Sequence, residues 1–123
     1  MGEGKRIWLF PDGDLPPAGG PDSSIEGHEA LMVLNTGAED AEIEIAVYFP
    51  DREPITGIRL SVPARRVVCF RLDKPLGSTG YKIPFGQYAL RLESSVPIVA
   101  QMGRADVRQP NLAYYTTLSY PAG

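Results

Sequence analysis

The chain has 123 residues, 13 of them glycine and 12 proline, with a net charge of −3. Glycine and proline cost a helix interior about 1 and 3 kcal/mol, and the longest stretch free of both is the 12 residues Ala38–Phe49. Helical bundles, coiled coils and doubly wound α/β folds are therefore disfavoured, and no apolar run approaches the roughly 20 residues of a membrane helix. A 43% hydrophobic content suits a folded chain of one domain. The acidic balance lacks the basic footprint of a nucleic-acid binder. The N-terminus lacks a secretory pattern, so a cytoplasmic location is expected. A lone cysteine, Cys69, and a lone histidine, His28, are too few for a disulfide or a classical zinc site, and no cofactor or metal is expected.

Alternation between breaks predicts about eight short strands, taken here in chain order. Lys5–Phe10 carries the only tryptophan, Trp8. Pro11–Ser24 follows as a loop with four prolines and three glycines. Glu29–Asn35 is a short apolar strand ended by Asn35-Thr36-Gly37. Glu42–Phe49 places Ile43, Ile45, Val47 and Phe49 on one face. Thr56–Val62 and Arg66–Leu72 are expected to form a hairpin through Pro63–Arg65, with Val68, Phe70 and Leu72 inward. Pro75–Gly86 is a second long loop, and long loops in compact domains are often binding loops. Gln87–Glu93 puts Tyr88, Leu90 and Leu92 on one side. Ile98–Ala105 and Leu112–Tyr120 complete the set, and their scarcity of lysine reads as under-protected sheet edges. The expected architecture is an all-β antiparallel sandwich, with a small barrel as alternative.

Three polar groups could carry chemistry. His28 beside Glu29 could transfer protons, bind a polar ligand, or fix a loop at a strand start. Gln101, Arg104, Asp106 and Arg108 form the second group. Arg104, Asp106 and Arg108 would share one face of an extended strand, as a solvated edge or as a guanidinium aimed at a hydroxyl-rich or anionic ligand. Arg65 and Arg66 form the third, in an exposed turn. No nucleophile elbow, metal cluster or phosphate loop is present, so no enzymatic activity is expected.

The chain resembles the sensory rhodopsin transducer family of small soluble prokaryotic proteins. The residues carrying the resemblance run along almost the whole chain. They are Trp8-Leu9-Phe10-Pro11-Asp12-Gly13 with Pro16, His28-Glu29, and Leu34-Asn35-Thr36-Gly37. Ile43-Glu44-Ile45 with Tyr48-Phe49 and Val62-Pro63-Ala64-Arg65-Arg66 follow. Ser94 to Gln101, Arg104-Ala105-Asp106 and Arg108-Gln109 complete the series. The resemblance implies a sandwich like that of carbohydrate-binding modules, a homotetramer, and a signalling role beside a membrane photoreceptor or other sensor protein. It also implies a small polar ligand such as a sugar. Trp8, His28, Glu29, Asn35, Arg65, Gln101, Arg104 and Asp106 match its hallmark positions and are the candidate ligand-binding residues. The expectation is a ligand held by Arg104, Gln101 and His28, with Asp106 orienting Arg104 and Trp8 offering a stacking face. The alternative is an adaptor that binds only proteins, its polar cluster forming subunit contacts. A sugar-processing enzyme using His28 and Glu29 is the third reading.

Overall fold

The computed structural model describes residues 3–15, 28–106 and 113–123, with the backbone alone described at 105, 106 and 113–117. The strands are β1 (Lys5–Leu15), β2 (His28–Asn35), β3 (Ala41–Tyr48), β4 (Ile55–Val62), β5 (Arg66–Arg71), β6 (Gly86–Asp106), β7 (Ala113–Thr117) and β8 (Tyr120–Pro121). All pairings are antiparallel. The first sheet runs β4-β3-β6-β1-β8, and the second runs β5-β2-β6-β7. This is the all-β sandwich that the alternation predicts.

The two sheets share β6. Up to Ile98 its partners are β3 and β1, and from Val99 onward they are β2 and β7. Sequence patterning divides this segment into two strands at Pro97, and the structure joins them. The alternation never breaks: Tyr88, Leu90, Leu92, Ser94, Ile98, Ala100, Met102 and Arg104 are all buried. Proline is tolerated because no pairing register includes Ser95, Val96 or Pro97, so no ladder bond is lost. Of the expected edge strand Ile98–Ala105, the part Met102–Ala105 is consequently interior to its sheet, between β2 and β7, and not an edge.

The core fills the space between the sheets. Ile43, Ile45 and Val47 of β3, Ile58, Leu60 and Val62 of β4, and Leu31 and Val33 of β2 meet Phe10 and Trp8 there. In β3 and β4 each alternates with exposed or half-buried neighbours, which is what a sheet buried on one face requires.

The expected β4–β5 hairpin does not form. β4 pairs with β3, β5 pairs with β2, and the chain crosses between sheets at Pro63–Arg65. Asn35 holds this crossing. Its Nδ2 donates to the carbonyls of Glu39 (2.8 Å) and Val62 (3.2 Å), and its Oδ1 accepts from Gly37 N–H (3.0 Å). Arg65 turns the corner with φ of 58°.

The two long loops also differ from expectation. Residues 11–15 of the first belong to β1, and its remainder lies outside the described residues. The second is a structural plug. Leu76 and Ile83 are buried in the core, and Ser78 N–H bonds the Arg59 carbonyl (2.9 Å), covering the outer edge of β4.

Candidate functional site

One buried polar cluster joins the sheets at one end of the sandwich. Glu29 follows His28 at the start of β2 and is in phase with Leu31, Val33 and Asn35, so its carboxylate points into the core. Directly opposite in register, Arg104 of β6 is in phase with Ile98, Ala100 and Met102, and it also points inward. Arg104 Nε donates to Glu29 Oε2 at 2.7 Å. The Tyr88 hydroxyl donates to Glu29 Oε1 at 2.7 Å, and Asp14 N–H donates to the same oxygen at 3.0 Å. Arg104 Nη2 donates to the Asp12 carbonyl at 3.0 Å, with the Asp12 carboxylate 3.7 Å away.

The local chain explains this arrangement. β6 passes from one sheet to the other around Ser95–Pro97, so its two ends, carrying Tyr88 and Arg104, return to the same carboxylate. On β1, the register shifts between Phe10 and Gly13. That bulge turns the Asp12 carbonyl toward Arg104. A Cβ at Gly13 would lie 2.7 Å from both the ring and the carbonyl of Tyr88, so only glycine fits. Burial, and then the adjoining Glu29 carboxylate, push the Tyr88 phenol far above its ordinary pKa. Tyr88 is thus a fixed donor. The carboxylate, the guanidinium and the phenol all have partners within the chain, as a buried charge pair requires.

Of the eight candidate residues, this cluster unites Glu29 and Arg104. Trp8 is core: it is 8% exposed, and its indole N–H is shared between the carbonyls of Lys5 (3.0 Å) and Ile98 (3.1 Å). It braces the fold-over of β6 and presents no open stacking face. Asn35 is fully buried in the turn it stabilises. Gln101 is exposed on the opposite face of β6 from Arg104, so the two do not meet around one ligand. His28 is half-buried and, one residue from Glu29 on an extended strand, projects from the opposite face. The two therefore do not form a proton-transfer pair. Arg65 is exposed at the sheet crossing. Arg104 is bonded to the Glu29 carboxylate; the Asp106 side chain and Arg108 lie outside the described residues.

Sequence reasoning missed Tyr88, Asp12, Gly13 and Asp14. Tyr88 carries a readable signal, a hydroxyl on an otherwise apolar face that needs an acceptor. Asp12 and Asp14 act here through the backbone, which no residue type announces. Among the described residues no group of three His, Cys, Asp or Glu could hold a metal ion.

The outer faces of the two sheets differ in character. The face of the β3–β4 sheet carries Glu42, Glu44, Arg59, Arg91 and Glu93, with Arg91 and Glu93 paired at 3.0 Å and with exposed Leu9, Tyr48 and Tyr120 among them. The face of the β2–β5 sheet carries Leu34 (40% exposed), Val67 (66%) and Val99 (40%) in one cross-strand row, with Met32, Cys69 and Gln101 in the next row.

The sequence matches the family described as Anabaena sensory rhodopsin transducer over residues 3–121. A crystal structure of Thermotoga maritima 1070 is similar, with 33% identity, 98% of this chain and 97% of that chain covered, and a TM-score of 0.85. The structure of the Anabaena sensory rhodopsin transducer shares 39% identity over 86% of this chain and 92% of its own, with a TM-score of 0.74. No curated protein matches the sequence.

Proposed function

Because this chain belongs to the Anabaena sensory rhodopsin transducer family, we propose that it is a non-enzymatic cytoplasmic signalling module. In this reading it works through protein contacts, assembling with copies of itself as a homotetramer and relaying the state of a sensory receptor. The observation that carries the reading is the apolar outer face of the β2–β5 sheet. Antiparallel sheets with one solvated face carry polar residues there, and in the other sheet exposed Leu9, Tyr48 and Tyr120 are interspersed with the charges of Glu42, Glu44, Arg59, Arg91 and Glu93. Leu34, Val67 and Val99 depart from that pattern together on neighbouring strands, and contiguous exposed apolar surface marks a contact site. The internal pairing of Glu29 and Arg104 accounts for those residues without a bound sugar. It favours protein contacts over a polar ligand at that cluster.

Light scattering on the purified protein tests the reading. The expected result is a tetramer that Leu34→Glu and Val99→Glu each break into smaller species while the far-ultraviolet spectrum keeps its β signature. An unchanged mass in both variants would overturn it. A thermal-shift screen of sugars separates the ligand reading, which predicts a rise in melting temperature that is lost in Arg104→Met.

A further inference from the structure

The two sheets treat their edges differently. The outer edge of β4 is covered by the plug at Ser78, and β8 at the other edge of that sheet spans only two residues. Among the described residues β5 has neither protection. It pairs with β2 on one side, and no described residue pairs with the other. Leu72 N–H bonds the Glu29 carbonyl at 2.8 Å, which sets the phase of the ladder. Hydrogen-bonded pairs alternate in an antiparallel ladder. Phe70, Val68 and Arg66 therefore turn their backbone groups toward β2, while Val67 and Cys69 turn theirs to the other side. The strand contains no lysine, proline or bulge to blunt this edge, and its Val67, Val68 and Phe70 favour pairing.

Charge identifies the occupant. Residues 65–74 hold four cations and one carboxylate in a chain whose net charge is −3. Arg65 and Arg66 are exposed, and neither has a carboxylate partner among the described residues. The one carboxylate, Asp73, is held by Arg71 at 2.7 Å. A second copy of β5 would bring two cationic segments together with Asp73 already engaged. An extended acidic segment would instead meet complementary charge.

We propose that the open edge of β5 accepts an extended segment of a partner protein as an added antiparallel strand, with acidic residues at its C-terminal end beside Arg65 and Arg66. The backbone groups of Val67 and Cys69 supply the hydrogen bonds, and Arg65 and Arg66 fix the direction. This surface adjoins the apolar face proposed for self-assembly and differs from it in using backbone groups, because edge bonds lie in the plane of the sheet.

The test uses a short synthetic peptide of alternating valine and threonine ending in two glutamates, and a second peptide ending in two lysines. Hydrogen exchange read by NMR should slow at the Val67 and Cys69 amides with the glutamate peptide. That peptide should bind roughly tenfold more tightly than the lysine peptide in low salt, the scale of two exposed ion pairs. Arg65→Glu with Arg66→Glu should reverse the preference without unfolding the chain. Cys69→Pro should abolish binding, since the Cys69 amide takes no part in the β2 ladder and proline is tolerated on edge strands. Unchanged exchange at those amides, or equal affinity for both peptides, would overturn the proposal. So would protection that rises with protein concentration alone, together with Cys69 cross-linking under oxidation, because that would mark β5 pairing with its own copy.

Discussion

Glu29 and Arg104 stand directly opposite each other on β2 and β6, both buried, with their nearest charged atoms 2.7 Å apart. Neither charge could be buried alone. Replacing one leaves the other in the core without its counter-ion, which costs about 3–5 kcal/mol. Arg104→Met should therefore lose stability on that scale in urea denaturation. The double variant Glu29→Gln with Arg104→Met should be less destabilised than Arg104→Met alone, because the stranded carboxylate is gone.

Tyr88 gives the cluster a dependence on alkaline pH. An unfolded tyrosine ionises near 10.0, whereas burial and Glu29 keep the folded phenol protonated well beyond that. Above that pH unfolding releases a proton, so this contribution is complete below the unfolded pKa and declines as pH rises through it. Urea midpoints from about pH 8 to about pH 11 should fall more steeply for the wild type than for Tyr88→Phe. At neutral pH, Tyr88→Phe should cost about 1–3 kcal/mol, from the lost bond to a buried carboxylate.

Gly13→Ala tests the close approach of β1 to β6. The added carbon would sit 2.7 Å from the Tyr88 carbonyl as well as its ring, so rotating the ring cannot relieve the contact. Overpacking of this kind costs about 1–3 kcal/mol. Calorimetry should show a lower melting temperature.

Trp8→Phe should destabilise by about 1–3 kcal/mol, because the Ile98 and Lys5 carbonyls lose their shared donor. In the wild type, the emission of this buried indole should shift to longer wavelength only when the chain unfolds. A shift on adding a sugar, with the fold intact, would place Trp8 in a ligand site after all.

Much of the fold was legible because alternation survives in the sequence. Ile43, Ile45 and Val47 announce their buried face, and so do Tyr88, Leu90 and Leu92. The division at Pro97 failed for a physical reason. Proline forbids a ladder bond, but no pairing register of β6 includes Ser95, Val96 or Pro97, so none is lost there. The hairpin expected at Pro63–Arg65 failed because a short turn also suits a crossing between layers, and only the distant Asn35 reveals which. Glu29 and Arg104 were found as polar residues, yet their partnership was readable in their phase, each aligned with inward aliphatic neighbours. Asn35 and Trp8 were mistaken for ligand groups because residue type does not tell whether a polar atom serves a ligand or the chain's own backbone. The positions of the bulge at Pro11–Asp12 and of its donated carbonyl depend on the pairing of β1 with β6, which one strand's sequence does not contain.

The sharing of β6 ties the alignment of the two layers together. A slip of one residue along this strand would turn every inward side chain outward, and it would do so in both layers at once, moving Tyr88 and Arg104 away from Glu29 in the same step. Register in this molecule is one quantity, set once and verified at a single carboxylate. A mispaired chain therefore leaves Glu29 buried without its cation or its phenol, an error too costly to persist.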